Sequence, residues 1–167
     1  MNTTENSKNV LMVCTDNISR SPIAEAVLRD VISKEGLQEE WQVDSAAIEG
    51  WHLGEKPDPR ALSVLGHHKI KYNDCARRLD IDDFEKFDYI LGMDPSNMAS
   101  LRLLKPHYSN SKLLLLSDFL FGFKTNNRCI EDPYYEIGED SFEKIYEQCH
   151  FACSNFLKQA RHNQIII

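Results

Sequence analysis

The feature that most constrains this chain is a short apolar run, Asn9 to Val13 (NVLMV), that ends at Cys14 and precedes a helix opening at Ser21-Pro22. A continuous apolar run of this length suits a strand covered on both faces. Ile23, Ala26, Val27 and Val31 recur at helical spacing as far as Gly36, and Trp41 to Ala47 (WQVDSAA) reads as a second strand. Strand, helix and strand make one βαβ unit. The pattern continues with a short helix over Pro59 to His67 closed by Gly66, another over Ile81 to Phe87, and a buried strand over Asp88 to Met93 (DYILGM). Asp94-Pro95 opens a helix reaching Leu104, and Lys112 to Ser117 (KLLLLS) is the last strand. A terminal helix covers Asp140 to Ala160. Its start has the capping-box spacing Asp140 and Glu143, and Phe142, Ile145, Tyr146, Cys149, Cys153, Phe156 and Leu157 form one apolar stripe. This alternation predicts an α/β fold: a single domain with a four-stranded parallel sheet and helices on both faces.

At 167 residues, 42% of them hydrophobic, the chain holds one full core. The domain is expected over residues 9–162, with a polar tail at 1–8 and a second tail at 163–167. Residues 1–8 show neither a secretory signal nor a span, so a cytoplasmic protein with no membrane partner is expected. Five cysteines lack CxxC or Cys/His metal spacing, which predicts reduced thiols and no metal. A net charge of -7 argues against a nucleic-acid partner.

In a doubly wound sheet the ligand site lies beyond the carboxyl ends of the strands, where the loop CTDNISRS, Cys14 to Ser21, falls. Cys-x5-Arg alone is a weak signal; its placement between a strand end and a helix start makes it strong. Backbone N–H groups of Thr15, Asp16, Asn17, Ile18 and Ser19 can wrap a tetrahedral oxyanion, and the helix N-terminus adds partial positive charge. The same field favours a thiolate at Cys14, a candidate nucleophile toward phosphorus. Arg20 offers a planar fork to two phosphate oxygens. Ser21 can donate toward the thiolate or serve as an ordinary N-cap, and Asn17 tolerates the positive φ that a tight curl requires.

VCTDNISRS followed by PIAEAV resembles the signature loop of the low-molecular-weight protein tyrosine phosphatases, whose common form is VCxGNxCRSPxAEAV. The likeness continues through VDSAAIEGWHLGEKPDPRA, DFEKFDYILGMDPSN and EDPYYEIGEDSFEKIYEQC. It implies the family's fold, no metal or organic cofactor, and a two-step reaction through cysteinyl phosphate on tyrosine-phosphorylated proteins. The chain would be a monomer or weakly self-associating. The resemblance places Asp132 of EDPYY over the cradle as general acid and then base, stiffened by Pro133. It makes Ile18, Trp51, His52, Tyr134 and Tyr135 the pocket for a flat phenol, and Ser45 a support for the loop. Ile18 favours tyrosine, since the family's phosphoarginine phosphatases carry Thr there.

The match breaks within the loop. Asp16 stands where the family has Gly, and Ser19 where it has a second Cys. A carboxylate ~6 Å from a phosphate dianion costs roughly 1.4 to 5.5 kcal/mol for an effective dielectric of ~80 to ~20. Reduced activity is therefore expected, along with harder reversal of Cys14 oxidation for want of a neighbouring thiol. Thr15 makes the rim more polar, and Asp74 lies near a position where animal members often carry a bracing His. Rival readings are a phosphotyrosine-binding pseudophosphatase, an arsenate reductase using further thiols such as Cys75 or Cys129, and a phosphoarginine phosphatase.

Overall fold

In the computed structural model, which describes residues 7–123, 129–133, 138–163 and 165, the first apolar run becomes β1, Lys8–Cys14. It leads into α1 (Arg20–Lys34), β2 (Trp41–Ala47), α2 (Pro59–His67) and α3 (Asp83–Lys86). Then come β3 (Tyr89–Gly92), α4 (Pro95–Leu104), β4 (Lys112–Leu115) and α5 (Asp140–Arg161). The four strands are all parallel in the order β2-β1-β3-β4, with Cys14 level with Ala47 and Val13 level with Gly92. The two central strands thus end together, and the loop after β1 opens at that end.

β1 is apolar throughout because both its faces are covered. Val10 and Met12 join α1, α2 and α5 in one core, whereas Leu11 and Val13 meet Phe84 of α3 with Met98 and Leu101 of α4 in another. Phe156 of α5 packs edge-on against Trp41, Tyr89 and Phe119 at centroid distances of 6.4, 5.3 and 5.4 Å. On the opposite face, a Cβ added to Gly92 would lie 2.8 Å from Met98 Sδ. Glycine there lets the start of α4 press onto the end of β3 and come in beneath the loop.

Element ends depart from the pattern where apolarity reports burial but not conformation. Leu116 and Ser117, expected in the last strand, form a 3-10 turn over Leu116–Phe119, although Leu116 is fully buried. Gly66 lies inside α2, and the left-handed residue after that helix is Lys69, at φ 62°. The expected capping box does not form: Glu139 is the N-cap without a side-chain bond, and Asp140 and Glu143 sit in the first turn, where they suit the helix dipole. The expected helix over 81–87 narrows to Asp83–Lys86. Among the described residues no helix is long and apolar enough to cross a membrane, and no group of three metal-ligating side chains gathers.

Candidate active site

The loop from Cys14 to Arg20 is held from outside by its carbonyls. Those of Cys14, Thr15 and Ile18 accept from the backbone N–H groups of Ile48, Glu49 and Asp58 at 3.0, 2.9 and 2.7 Å. With the oxygens turned outward, amides can turn inward. Asn17, the expected positive-φ residue, is at 58° and directs its N–H to Cys14 Sγ at 3.3 Å. Ser21 N–H reaches the same sulfur at 3.4 Å and Ser21 Oγ lies 3.0 Å from it. Ser21 is therefore no N-cap; that position belongs to Ser19, which makes no side-chain cap bond.

The direction of each bond behind the sulfur follows from donor chemistry. Arg77 N–H can only donate, so Asn17 Oδ1, 3.1 Å away, is the acceptor, and the amide orientation is settled. Asn17 Nδ2 then donates to both Ser21 Oγ and Ser45 Oγ at 2.8 Å. Ser21 keeps its own proton for the sulfur, which accepts three bonds, an arrangement that stabilises an anion. Ser45 donates to Glu25 Oε1 at 2.5 Å, and Tyr72 donates to the same oxygen at 2.7 Å. Arg29 bonds the other Glu25 oxygen. Burial pushes the Glu25 carboxyl above its usual range, opposed by the bonds from Ser45 and Tyr72 and by the Arg29 charge. Burial and Glu25 together push the Tyr72 hydroxyl up, so it stays a donor.

Arg20 is 2% exposed. Its Nη1 donates to Asp94 Oδ2 at 2.6 Å and to the Ile130 carbonyl at 2.9 Å, while Nη2 lies 3.7 Å from Asp132 Oδ2. Burial disfavours its charge, but Cys14, Asp94 and Asp132 outweigh that and raise the guanidinium. Arg20 Nε is buried and has no acceptor among the described residues. The Nε–Nη2 edge is the side of the fork that matches two oxygens of a tetrahedral anion. Asp94 has two roles: its other oxygen accepts Asn97 N–H at 2.7 Å and caps α4. Asn97 in turn donates to Thr15 Oγ1 at 3.3 Å, so Thr15 faces α4 as well as the rim.

Of the residues expected to form the pocket, Ile18 is buried, Trp51 is 70% exposed, and His52 Nδ1 contacts Glu55 Oε2 at 2.6 Å. Asp132 is 42% exposed. Tyr134 and Tyr135 lie outside the described residues. Asp16 is half-buried, and its Oδ1 is buried without a hydrogen-bond partner among the described residues. Burial raises its carboxyl above 3.8; the charges of His52 and Arg20 lower it while those of Asp132 and Glu49 raise it. Asp16 therefore stands in the electrostatic field of the site.

The family described as low molecular weight phosphotyrosine protein phosphatase matches residues 9–165. The chain belongs to this family. It is 58% identical to low molecular weight phosphotyrosine protein phosphatase 2 of Drosophila melanogaster over 158 residues, which cover 95% of each chain. Its fold is similar to the crystal structure of Primo-1, with a TM-score of 0.86 and 49% identity over 91% of this chain and 97% of that one. It is similar also to the crystal structure of DARP, drosophila arginine phosphatase, with a TM-score of 0.85 and 35% identity over 91% and 97%.

Within that frame, the structure brings Cys14, Asn17, Arg20, Ser21, Ser45 and Asp132 to one end of the sheet. Ser19 presents no thiol beside Cys14, and all five cysteines are free. Four contributors escaped the sequence reading. Asp94 reads in the sequence only as half of the Asp94-Pro95 opener, and Glu25, Arg77 and Tyr72 are given no role there. Asp94-Pro95 carried the clearest signal, an acidic cap at a strand end on the ligand side of the sheet. Asp74, near the position expected to brace the loop, lies 3.9 Å from Arg29, and Glu25 accepts from the hydroxyls of Ser45 and Tyr72.

Proposed function

We propose that this chain is a protein tyrosine phosphatase that hydrolyses phosphotyrosine and small aryl phosphates through a cysteinyl-phosphate intermediate. The observation that carries this reading is the buried Arg20 Nε–H with no acceptor among the described residues, beside a sulfur on which three donors converge. A phosphate oxygen supplies the acceptor that Arg20 lacks. In the first step Sγ bonds to phosphorus, the bond from phosphorus to the phenolic oxygen breaks, and Asp132 gives that oxygen a proton. In the second step Asp132, now a carboxylate, takes a proton from water as the water oxygen bonds to phosphorus and the S–P bond breaks. Ser21 Oγ–H stabilises the departing thiolate, and Arg20 binds charge that spreads over the equatorial oxygens in both steps.

Ile18, Trp51 and His52 flank the ring in this reading; Tyr134 and Tyr135, also expected there from the sequence, lie outside the described residues. Pocket depth favours phosphotyrosine over the shorter phosphoserine. In this reading the substrates are tyrosine-phosphorylated proteins and the chain acts in the cytoplasm. Asp16 lowers turnover by repelling the phosphate. The same carboxylate favours a second reading, a phosphotyrosine binder with little turnover.

Turnover of p-nitrophenyl phosphate and of a phosphotyrosine peptide separates the two. Vanadate-sensitive hydrolysis, lost by roughly 10⁴-fold or more in Cys14→Ser, is expected. Tight phosphopeptide binding without hydrolysis by the wild type would establish the binder instead.

A further inference from the structure

We propose that the ion pair between Arg77 and the buried Asp83 is a positioning device for the nucleophile: it holds the backbone N–H that fixes the Asn17 side chain, and through Asn17 it sets which donors reach Cys14. This rests on the phosphatase reading above and deepens it. The pivot is the amide of Asn17. Its Oδ1 accepts from Arg77 N–H at 3.1 Å, and that bond leaves Nδ2 to donate to Ser21 Oγ and Ser45 Oγ, at 2.8 Å each. Ser21 then has its own proton for the sulfur, 3.0 Å away. Without the Arg77 donor the amide is free to turn over. Oδ1 would then face Ser21, the hydroxyl proton would be drawn to it, and the sulfur would lose a donor.

Arg77 lies in the irregular stretch between α2 and α3, where Arg78 bridges to Ala47 at the end of β2. Its carbonyl accepts Ala47 N–H at 2.8 Å, which holds the peptide after Arg77. The N–H belongs to the peptide before it, and its direction depends on how the residue is turned. The guanidinium sets that turn. Nη1 and Nη2 donate to the two oxygens of Asp83 at 3.0 and 3.1 Å, and Nε donates to Asp44 Oδ2 at 3.0 Å. A planar fork gripped on three nitrogens leaves the side chain one orientation, which a lysine does not reproduce.

Asp83 is 6% exposed, opens α3, and accepts Asp80 N–H on Oδ2 at 2.8 Å as well. Its neighbour Phe84 shares a core with Leu11 and Val13 of β1, the strand that ends in Cys14. A carboxylate this deeply buried is costly unless a full set of donors meets it, and Arg77 supplies two of them. The pair therefore ties the Arg77 backbone to the core beneath the loop. An ion pair can also serve only to hold a fold together, and the two roles predict different chemistry at Cys14.

The test reads Cys14 directly, as the rate at which iodoacetate alkylates the Cys14 peptide across pH, followed by mass spectrometry. In Asp83→Asn the profile is expected to move up by about 0.7 pH unit, so that on its rising limb the rate falls about five-fold. kcat for p-nitrophenyl phosphate should fall about as much, with KM within about two-fold. Arg77→Lys, which keeps the charge and loses the fork, should behave alike, and it carries the test if Asp83→Asn does not fold. In an Asn17→Gly background, which tolerates the positive φ, Asp83→Asn should add less than about two-fold, because both changes break one chain of bonds. Phe156→Leu, a cut in the other core, should lower the melting temperature and leave the profile in place. A profile unmoved by either ion-pair variant, additive effects in the Asn17→Gly background, or an equal shift in Phe156→Leu overturns the proposal. If wild type hydrolyses p-nitrophenyl phosphate in those cases, the positioning claim alone has failed. If wild-type Cys14 is alkylated no faster than the exposed Cys75 at neutral pH and the ester is not hydrolysed, the phosphatase reading fails and this proposal with it.

Discussion

The two sides of the site differ in how deeply they are buried. On the nucleophile side the polar side chains behind the sulfur are linked in series: Cys14 to Ser21 and Asn17, Asn17 to Ser45 and Arg77, and Ser45 to Glu25 and Tyr72. Cys14, Asn17, Ser21, Glu25 and Ser45 are all buried. On the acid side, Asp132 is 42% exposed and lies 3.7 Å from Arg20, beyond ordinary hydrogen-bond reach. The difference follows from the chemistry. A nucleophile and its oxyanion donors gain from being organised before substrate arrives, because no reorganisation then remains for the transition state. A carboxyl group that gives a proton to a leaving group and later takes one from water must meet both, so some access to solvent is part of its role.

The largest effect that tests this contrast is expected at the exposed side. Asp132→Asn keeps the shape and removes the proton donor, and should lower kcat for a phosphotyrosine peptide by roughly 10² to 10⁴-fold. The loss should be smaller for p-nitrophenyl phosphate, whose leaving group needs a proton less. An equal loss for both esters, read by steady-state kinetics, would mean that Asp132 acts through structure and not as an acid.

A smaller effect is expected from Asp16, on which the charges of Arg20 and Asp132 both act. Its carboxyl is raised above 3.8 by burial. As pH falls through that raised value Asp16 gains a proton, its repulsion of phosphate vanishes, and wild type approaches Asp16→Asn. As pH rises wild type falls behind. The ratio of kcat/KM for p-nitrophenyl phosphate, Asp16→Asn over wild type, should be near one in acid and climb to roughly ten-fold, the weak end of the Coulomb range for a dianion at ~6 Å. His52, Arg20, Asp132 and Glu49, whose charges act on Asp16, are present in both enzymes, so the ratio isolates the Asp16 carboxyl. A ratio flat in pH would remove Asp16 from the electrostatics of binding.

Much of this was legible in the chain itself, unevenly and for physical reasons. Trp41–Ala47 and Pro59–His67 came out residue for residue because periodicity and a Pro start are local signals. Ser117 was misplaced because Leu116 is equally apolar in a strand or in a buried turn. Cys14 and Arg20 could be read from their spacing around one loop. Asp94 and Tyr72 could not, since their meaning comes from partners 74 and 47 positions away that only the folded sheet brings near.

Tyr72 gives the smallest predicted effect and the sharpest test of the rigid side. It is half-buried, and its hydroxyl touches neither the sulfur nor the cradle amides; it reaches them through Glu25, Ser45 and Asn17. Tyr72→Phe leaves Glu25 with the bonds from Ser45 and Arg29 and removes one donor from a buried carboxylate, at a cost of about 1 kcal/mol. If that cost is transmitted along the relay, kcat should fall about five-fold with KM nearly unchanged, because the loss lies in the poise of the nucleophile and not in substrate contact. Tyr72→His, which can donate to Glu25 again, should recover part of the rate. A loss of thermal stability with kcat intact would show that the outermost link only holds the fold together. In that case the rigidity that matters for the chemistry ends at Ser45, and the contrast between the two sides narrows to the few residues touching the sulfur.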